Sequence, residues 1–241
     1  MVDFIDVEPE ESVAATLDLM LKHNISSMLV TKEKRLMGIA TIRDFVSRIP
    51  WGKTPLHNLR MQDIMTKNVL FLHPEDGFKE LVNLIHFRDI RTVPVVSEGA
   101  VKGIVTRKEL AKVFADSIGH KYQVKDLMTY RYNTSTIHES MKDLIRKMVS
   151  LGYKYIVVLA GNEVVGVVTM SDVLIHLYSS SEEQCVHHVK DVMTVNPITA
   201  KKDDRCDKIA RTIVENRLSA LPVVNDELCG LISLKCFFKI L

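Results

Sequence analysis

Pairs of a hydroxyl residue and an acid, separated by two residues, are the groups of this chain whose type and spacing could do chemistry. The pairs are Thr41 with Asp44, Thr106 with Glu109 and Thr169 with Asp172, and a fourth copy has Ser233 with Cys236. Such a pair can form a helix capping box, in which the hydroxyl accepts a helical N–H and the acid accepts the N–H of the cap residue. It can also face a ligand, because a helix N-terminus attracts anions and a carboxylate accepts hydrogen bonds from hydroxyl groups.

No pattern in the sequence requires catalysis. The chain has neither a nucleophile–base motif nor a phosphate loop of the Gly-x-x-x-x-Gly-Lys type. Cys185, His187 and His188 are three soft ligands in a linker and do not complete a four-ligand metal site. We therefore expect no catalytic residue, no catalytic cofactor and no metal, so the protein is not expected to be an enzyme.

The hydroxyl–acid pairs recur because each one ends a repeat. A glycine precedes each hydroxyl by three residues, and the glycines are spaced by 65, 63 and 64 residues, at Gly38, Gly103, Gly166 and Gly230. The later three repeats also open on a shared Asp-x-Met-Thr phrase, which begins at Asp63, Asp126 and Asp191. A fixed period defines the architectural unit, so the chain consists of one small element made four times.

Each repeat combines a helical pattern with two strand patterns. Apolar residues spaced 0, 3, 4, 7 indicate one helix face in repeats 2, 3 and 4, starting at Phe78, Met141 and Cys206, and repeat 1 has a similar face from Val13. A β-branched run, a polar turn and a second apolar run follow, which is typical of a β-hairpin. A second helix begins after the hydroxyl residue. The pattern predicts an α+β fold of four β-α-β-β-α repeats.

Composition favours a packed globular protein. Apolar residues make up 46% and charged residues 26%, and the formal net charge is only +2, which gives no reason to expect a nucleic-acid or membrane partner. No apolar run reaches the roughly 18–20 residues of a membrane helix. Acids stand near the N-terminus, where a secretory signal would carry basic residues. We expect a cytoplasmic protein.

The repeats resemble cystathionine β-synthase (CBS) domains. The resemblance is carried by the Asp-x-Met-Thr openings, by the Val-Pro-Val-Val strands that begin at Val93 and Leu221 (the latter as Leu-Pro-Val-Val), and by the closing Gly-h-h-Thr/Ser-x-x-Asp motif, where h is apolar. It implies that repeats pair through their sheets into two Bateman modules. The first module covers residues 1–117, with repeats 1–50 and 56–117, and the second covers residues 118–241, with repeats 118–180 and 185–241.

The same resemblance implies an adenosine-type regulatory ligand, with AMP, ADP or ATP favoured over S-adenosylmethionine or NAD. It assigns the phosphate to the hydroxyls of Thr41, Thr106, Thr169 and Ser233, and the ribose to the acids Asp44, Glu109 and Asp172. Arg43 and Arg107 are placed to neutralise phosphate charge. The adenine walls are expected to include Ser26, Met28, Ile90, Arg91, Pro94, Tyr153, Lys154, Tyr155, Ser219, Ala220 and Pro222.

We call each hydroxyl–acid pair, with the wall residues of its repeat, a half-site. Departures from the motif allow the four half-sites to be ranked. Cys236 replaces the ribose acid in repeat 4, and Glu109 is one methylene longer than aspartate. Repeat 1 lacks an Asp-x-Met-Thr opening. The pair Thr169–Asp172 is therefore the favoured site, followed by Thr41–Asp44. The leading hypothesis is a nucleotide sensor that acts on a regulated protein of unknown identity, with a homodimer possible. The alternatives are an assembly adaptor whose clefts stay empty, in which the pairs serve only as caps, and a nucleic-acid binder.

Overall fold

The structure, a computed structural model, describes residues 2–110, 113, 121–179 and 187–240. These residues form two compact units, one built from the residues up to Thr106 and the other from Arg107 onward, except that Leu177 to Ser179 group with the first. The predicted boundary between residues 117 and 118, the linker residues 180–184 and Cys185 lie outside the described residues. The module limits therefore stay a prediction.

The first unit contains one five-stranded sheet in the order β1-β2-β3-β5-β4. Its strands are β1 (Asp6–Val7), β2 (Ser27–Lys32), β3 (Arg35–Thr41), β4 (Thr92–Ser97) and β5 (Ala100–Thr106). The antiparallel hairpins β2–β3 and β4–β5 are joined by the pairing of Arg35 with Ala100. Glu33, Lys34 and Gly99 have φ values of 52°, 66° and 77°, the positive angles that two-residue hairpin turns need.

The second unit has the same hairpins in two sheets. Its strands are β6 (Thr134–Thr136), β7 (Tyr155–Ala160), β8 (Glu163–Thr169), β9 (Thr194–Val195), β10 (Ala220–Val224) and β11 (Leu228–Ser233). Four of them form a sheet in the order β6-β7-β8-β9, and β10 pairs with β11. The hairpin β7–β8 ends on the pair Tyr155–Thr169, and β10–β11 ends on Ala220–Ser233.

Helices pack on these hairpins through the faces that the sequence predicts. They are α1 (Val13–His23), α2 (Ile42–Arg48), α3 (Met61–Ile64), α4 (Phe78–Val82), α5 (Val124–Leu127), α6 (Met141–Ser150), α7 (Met170–Ser179), α8 (Cys206–Glu215) and α9 (Leu234–Phe237), and residues 107–110 are also helical. Most residues of the predicted faces in repeats 1, 3 and 4 are buried: Val13, Leu17 and Met20 on α1, Met141, Leu144 and Met148 on α6, and Cys206, Ile209, Ala210 and Ile213 on α8. Leu21, at the end of the predicted face of α1, is 40% exposed, and Ile145 of α6 is partly buried. The predicted α+β repeat architecture is confirmed.

Repeat 2 departs from the predicted helix. Helix α4 has five residues and none of them is buried, and the next five, Asn83–Phe87, form a π-helix. A π turn contains more residues than an α turn, so the spacing 0, 3, 4, 7 no longer marks a single face. Of the four predicted face residues only Ile85 is buried, whereas Phe78 is 52% exposed.

The Asp-x-Met-Thr phrases belong to short segments that cross from one repeat to its neighbour within a unit. We call residues 59–66, 122–129 and 187–194 the opening segments of repeats 2, 3 and 4. Their threonines pair with the second hairpin strand of the other repeat, as Thr66 with Ile39, Thr129 with Leu231 and Thr194 with Val167. In repeat 1, Val2 bridges Ile104 at the equivalent position. Repeats 1 and 2 are thereby joined to each other, and so are repeats 3 and 4.

The spacing that the three opening segments share has a structural cause. The aspartate of each phrase accepts a hydrogen bond from the backbone N–H of the residue three positions earlier. The N···Oδ2 distances are 3.0 Å for Arg60 and Asp63, 2.8 Å for Gln123 and Asp126, and 2.8 Å for His188 and Asp191. The methionine then lies over a repeat glycine. A Cβ on Gly38 would be 2.5 Å from Met65 Sδ, and one on Gly166 would be 2.7 Å from Met193 Sδ. The glycines therefore make room for the crossing segment.

Candidate functional site

In repeat 1 the hydroxyl–acid pair is closed by the protein's own side chains. Asp44 is 9% exposed, and its Oδ2 accepts the Thr41 N–H at 2.8 Å and the Thr41 hydroxyl at 2.6 Å. Its Oδ1 forms an ion pair with Arg48 Nη2 at 3.1 Å, and the Thr66 hydroxyl is 3.4 Å away. Arg48 is held in place because its Nη1 donates to the carbonyl of Ile64 at 2.7 Å. Both oxygens of Asp44 therefore have partners within the protein.

In repeat 3 the same pair is left half open. Asp172 Oδ2 accepts the N–H and the hydroxyl of Thr169, both at 2.7 Å, and Thr169 Oγ1 accepts the Asp172 N–H at 3.4 Å. Within the described part of the chain these are the hydrogen bonds of Asp172, and none of them uses Oδ1. The residue four positions on is His176 rather than an arginine. One carboxylate oxygen is therefore available for hydroxyl donors.

The capping interpretation is confirmed for both pairs. Thr41 is the N-cap of α2 and forms a capping box with Asp44, and Thr169 precedes α7 with the equivalent bonds to Asp172. In repeat 3 the cap uses only Oδ2 of the carboxylate. Capping and ligand binding can therefore share Asp172, because each role needs a different oxygen.

An aromatic side chain distinguishes repeat 3 from the others. Tyr155 pairs across the hairpin with Thr169, at the register position that Ser27, Thr92 and Ala220 hold in the other repeats. Burial raises the pKa of Tyr155, and the charge of Asp172 raises it further. The phenol is therefore neutral at physiological pH, and it lies close enough to Asp172 for the carboxylate charge to affect its pKa. Repeat 3 thus combines an open carboxylate oxygen with a neighbouring ring.

Repeats 2 and 4 differ from the other two in the residue at the acid position, which is a glutamate in repeat 2 and a cysteine in repeat 4. Thr106 ends β5 opposite Thr92, and Glu109 lies in the helical turn of residues 107–110. Ser233 Oγ is 3.5 Å from the thiol of Cys236, which is 4% exposed. A buried thiol is a weak acceptor and cannot replace a carboxylate toward two hydroxyl donors.

The residues predicted as adenine walls lie at the starts of the first hairpin strands, next to the capped helices. The carbonyl of Ser26 accepts the N–H of Ile42 at 3.1 Å, and the carbonyl of Lys154 accepts that of Met170 at 3.3 Å. Ser26, Arg43 and Ser219 are exposed, while Ile90, Arg91, Arg107, Tyr153, Lys154 and Tyr155 are partly buried. Met28, Pro94, Ala220 and Pro222 are buried. Their contact with a ligand stays a prediction.

A contact that sequence reasoning missed lies between repeats 1 and 2. The hydroxyls of Ser27 and Thr92 are 2.8 Å apart, and each residue pairs with the hydroxyl residue that ends its own hairpin. The ion pair of Asp44 with Arg48 was also missed, although an acid and a base four residues apart on a helix are a known stabilising arrangement. That spacing was a signal in the sequence that the first half-site is internally paired.

Histidines form two ring pairs in the second unit. The ring centroids of His176 and His187 are 4.9 Å apart, and those of His138 and His188 are 6.5 Å apart. Among the described residues, no three His, Cys, Asp or Glu side chains come together as a metal-binding group. Nor does this part of the chain contain a helix long and apolar enough to cross a membrane.

His176 makes stability depend on pH. Burial lowers its pKa from 6.5, and His187 lowers it further, while Asp191 opposes the change. Because the unfolded chain then takes up the proton first, the free energy of unfolding should fall as pH drops below the unfolded value. Thermal melts between about pH 7.5 and pH 5.5 should show this fall, and His176→Gln should reduce it. The exposed His57, changed to Gln, is the control; an equal reduction there would contradict the assignment.

The chain belongs to the CBS domain family. The family model matches residues 2–50, 61–116, 124–179 and 189–241. Among curated relatives, protein MJ1225 of Methanocaldococcus jannaschii is 25% identical over 182 residues, which cover 71% of this chain and 65% of that protein. The inosine-5'-monophosphate dehydrogenase of Korarchaeum cryptofilum is 36% identical over 109 residues, covering 45% of this chain and 22% of the dehydrogenase. The chain therefore spans less than two thirds of the length of these relatives.

Solved structures share the whole fold. The crystal structure of MJ1225, described there as a proposed archaeal homologue of γ-AMPK, superposes with a TM-score of 0.89 at 23% identity and covers 99% of this chain and 96% of that one. An uncharacterised Pyrococcus horikoshii protein superposes with a TM-score of 0.67 at 18% identity, covering 99% and 95%. At these identities the likeness establishes the fold of four CBS repeats.

Proposed function

We propose that this chain is a regulatory module that binds an adenine nucleotide, AMP, ADP or ATP, at repeat 3. The observation that carries the proposal is the open Oδ1 of Asp172, beside a ring that repeats 1, 2 and 4 lack. A carboxylate oxygen can accept hydrogen bonds from two neighbouring ribose hydroxyls, and these are charge-assisted. The hydroxyl of Thr169 lies at the start of α7, where a helix N-terminus favours phosphate.

A ligand at this position would touch two repeats. Thr194 of the opening segment of repeat 4 pairs with Val167, just as Thr66 pairs with Ile39 in repeat 1. In repeat 1 that threonine is close to the carboxylate, with Thr66 Oγ1 3.4 Å from Asp44 Oδ1. A nucleotide on Asp172 would therefore favour one relative arrangement of repeats 3 and 4, and through linkage would alter affinity for a regulated protein. The gamma subunit of AMP-activated protein kinase has a similar layout of four CBS repeats.

A structural role is the second candidate, and repeat 1 favours it. The Arg48 ion pair and the capping box use both oxygens of Asp44, so this half-site is stable without a ligand. In an assembly adaptor, contacts within the protein would satisfy all four half-sites in the same way. A nucleotide specific for the folded state should raise the free energy of unfolding by about 2.7 kcal/mol at 100 times its dissociation constant, whereas an adaptor would show no change.

The test is a titration of the whole chain by calorimetry and native mass spectrometry. The panel is AMP, ADP, ATP, S-adenosylmethionine and NAD, with 2′-deoxy-AMP as the matched ligand. We expect one adenine nucleotide per chain to bind, and the 2′-deoxy compound to bind more weakly because one donor to Asp172 is lost. Tighter binding of S-adenosylmethionine or NAD would change the ligand class, and the absence of binding across the panel would favour the adaptor.

A further inference from the structure

The guanidinium of Arg48 connects the acid of repeat 1 to the opening segment of repeat 2. Its Nη2 is 3.1 Å from Asp44 Oδ1 and donates to the hydroxyl of Thr66 at 3.0 Å. Its Nη1 donates to the carbonyl of Ile64 at 2.7 Å. The capping box of α2 uses Asp44 Oδ2, so Arg48 pairs with the oxygen that the cap leaves.

Hydrogen bonds of this kind are also the ones that a ribose can make. Two neighbouring hydroxyls of a ribose donate hydrogen bonds, as the neighbouring N–H groups of a guanidinium do, and a carboxylate accepts from either. The arginine has two advantages over a separate molecule. Its charge strengthens the hydrogen bonds, and it is tethered to the chain, so no translational freedom is lost when it pairs with Asp44.

Repeat 3 has a different residue at this position. Arg48 and His176 each follow the hydroxyl of their repeat by seven residues and the acid by four. The ring of His176 lies against that of His187, with 4.9 Å between the centroids. Asp172 Oδ1 has no hydrogen-bond partner in the described part of the chain. Repeats 1 and 3 are the two repeats with an aspartate at the acid position, so the exchange of arginine for histidine distinguishes their half-sites.

We propose that the residue seven positions after the hydroxyl determines whether a half-site accepts an adenosine-type ligand. Arg48 is an internal occupant of the ribose position in repeat 1, and His176 leaves that position open in repeat 3. The inference rests on the proposed function, because it takes Asp172 as the acid that binds the ribose. Repeat 1 keeps the hydroxyl, the acid and the crossing threonine Thr66, so it contains a second site for the same class of ligand, which Arg48 occupies.

A reciprocal exchange of the two residues tests the inference in the full chain, with AMP and adenosine as probes. Arg48→His gives repeat 1 the residue of repeat 3, and native mass spectrometry should then show one more bound molecule per chain than in the wild type. Asp44→Asn added to Arg48→His should remove that extra molecule. Arg48→Gln takes the place of Arg48→His if the histidine variant does not fold.

His176→Arg is the opposite exchange, and calorimetry measures its effect. It should weaken binding of both probes by about tenfold or more, because the new arginine competes with the ribose for Asp172 Oδ1, and a hydrogen bond to a charged group is lost. Adenosine is included because it carries no phosphate, so the added positive charge cannot strengthen its binding.

Arg146→His and His138→Arg are the matched controls. Arg146 also pairs with an aspartate of its own helix, Asp143, at 3.1 Å, and His138 also faces a histidine of the opening segment of repeat 4, His188, with 6.5 Å between the ring centroids. Neither control should change the stoichiometry or the affinity. Circular dichroism establishes that each variant is folded.

Two results would overturn the inference: a folded Arg48→His or Arg48→Gln that binds no more molecules than the wild type, or an extra molecule that Asp44→Asn does not remove. Unchanged or tighter adenosine binding in His176→Arg would overturn it as well. A wild type that binds neither probe would refute the proposed function at repeat 3. The stoichiometry of the Arg48 variants would still decide whether Arg48 occupies a site, so the two failures are distinguishable.

Discussion

Replacing Asp172 with asparagine is expected to weaken adenine-nucleotide binding by about 100-fold, because two charge-assisted hydrogen bonds to the ribose are lost. The substitution keeps an oxygen that can accept the Thr169 N–H, which Oδ2 accepts at 2.7 Å in the native protein. The cap should therefore survive in part, and the protein should remain folded. Calorimetry with the tightest ligand of the panel measures the effect, and a thermal melt without ligand measures the stability.

Asp126→Asn is the matched control for this variant. Asp126 lies in the same unit and accepts the Gln123 N–H at 2.8 Å, so it has the same capping role without a place in the proposed site. It should change the melting temperature by a similar amount and leave nucleotide affinity intact. Binding that survives in Asp172→Asn, or that falls equally in Asp126→Asn, would show that Asp172 does not hold the ribose.

Asp44→Asn distinguishes the contribution of the repeat 1 half-site to nucleotide affinity from that of the repeat 3 half-site. Since Asp44 is paired with Arg48 at 3.1 Å, the first half-site should contribute little nucleotide affinity, and the variant should mainly lose stability. The loss should be modest, about 1 kcal/mol, because Arg48 is partly exposed. A large loss of affinity in this variant would mean that ligand binding displaces Arg48 and that repeat 1 is also occupied.

The repeat architecture could be predicted from sequence because its signals are local and occur four times. The helix faces that begin at Val13, Met141 and Cys206 are amphipathic over two turns, and tertiary packing agrees with them. Phe78 starts an equally good pattern, yet it is 52% exposed. What differs there is the continuation of the helix as a π-helix over Asn83–Phe87, and the spacing of apolar residues in the sequence does not reveal a π turn.

The site could be predicted as a set of residues but not as a set of contacts. Thr169 and Asp172 were ranked first because the other three repeats depart from the motif. The feature that now supports that rank is Asp172 Oδ1, which has no hydrogen-bond partner in the described part of the chain, where His176 stands at the position of Arg48. The role of the Met-Thr phrase was beyond sequence reasoning for the same reason. Met193 meets Gly166 through pairing between repeats, so its function appears only when the two segments are brought together.

Alanine at the repeat glycines should destabilise the protein in two distinguishable ways. A Cβ on Gly166 would be 2.7 Å from Met193 Sδ, in a flexible, half-buried side chain, and 3.2 Å from the carbonyl oxygen of Thr194, so the closest obstacle is the side chain. A Cβ on Gly230 would be 2.9 Å from the carbonyl oxygen of Thr129, which accepts the Leu231 N–H at 2.9 Å and cannot move without breaking that bond. We expect a loss of about 1–2 kcal/mol for Gly166→Ala and about 3 kcal/mol for Gly230→Ala, by overpacking.

A second substitution tests the difference. Met193→Ala should restore most of the stability lost in Gly166→Ala, giving a coupling energy of about 1 kcal/mol in urea denaturation. Met128→Ala should not rescue Gly230→Ala, because the obstacle there is backbone and the Met128 Sδ is farther, at 3.2 Å. Equal rescue at both positions would mean that crowding by the methionine side chains alone explains the need for glycine at positions 166 and 230. Rescue at neither would mean that the opening segments do not press on them, and the joining of paired repeats would need another explanation.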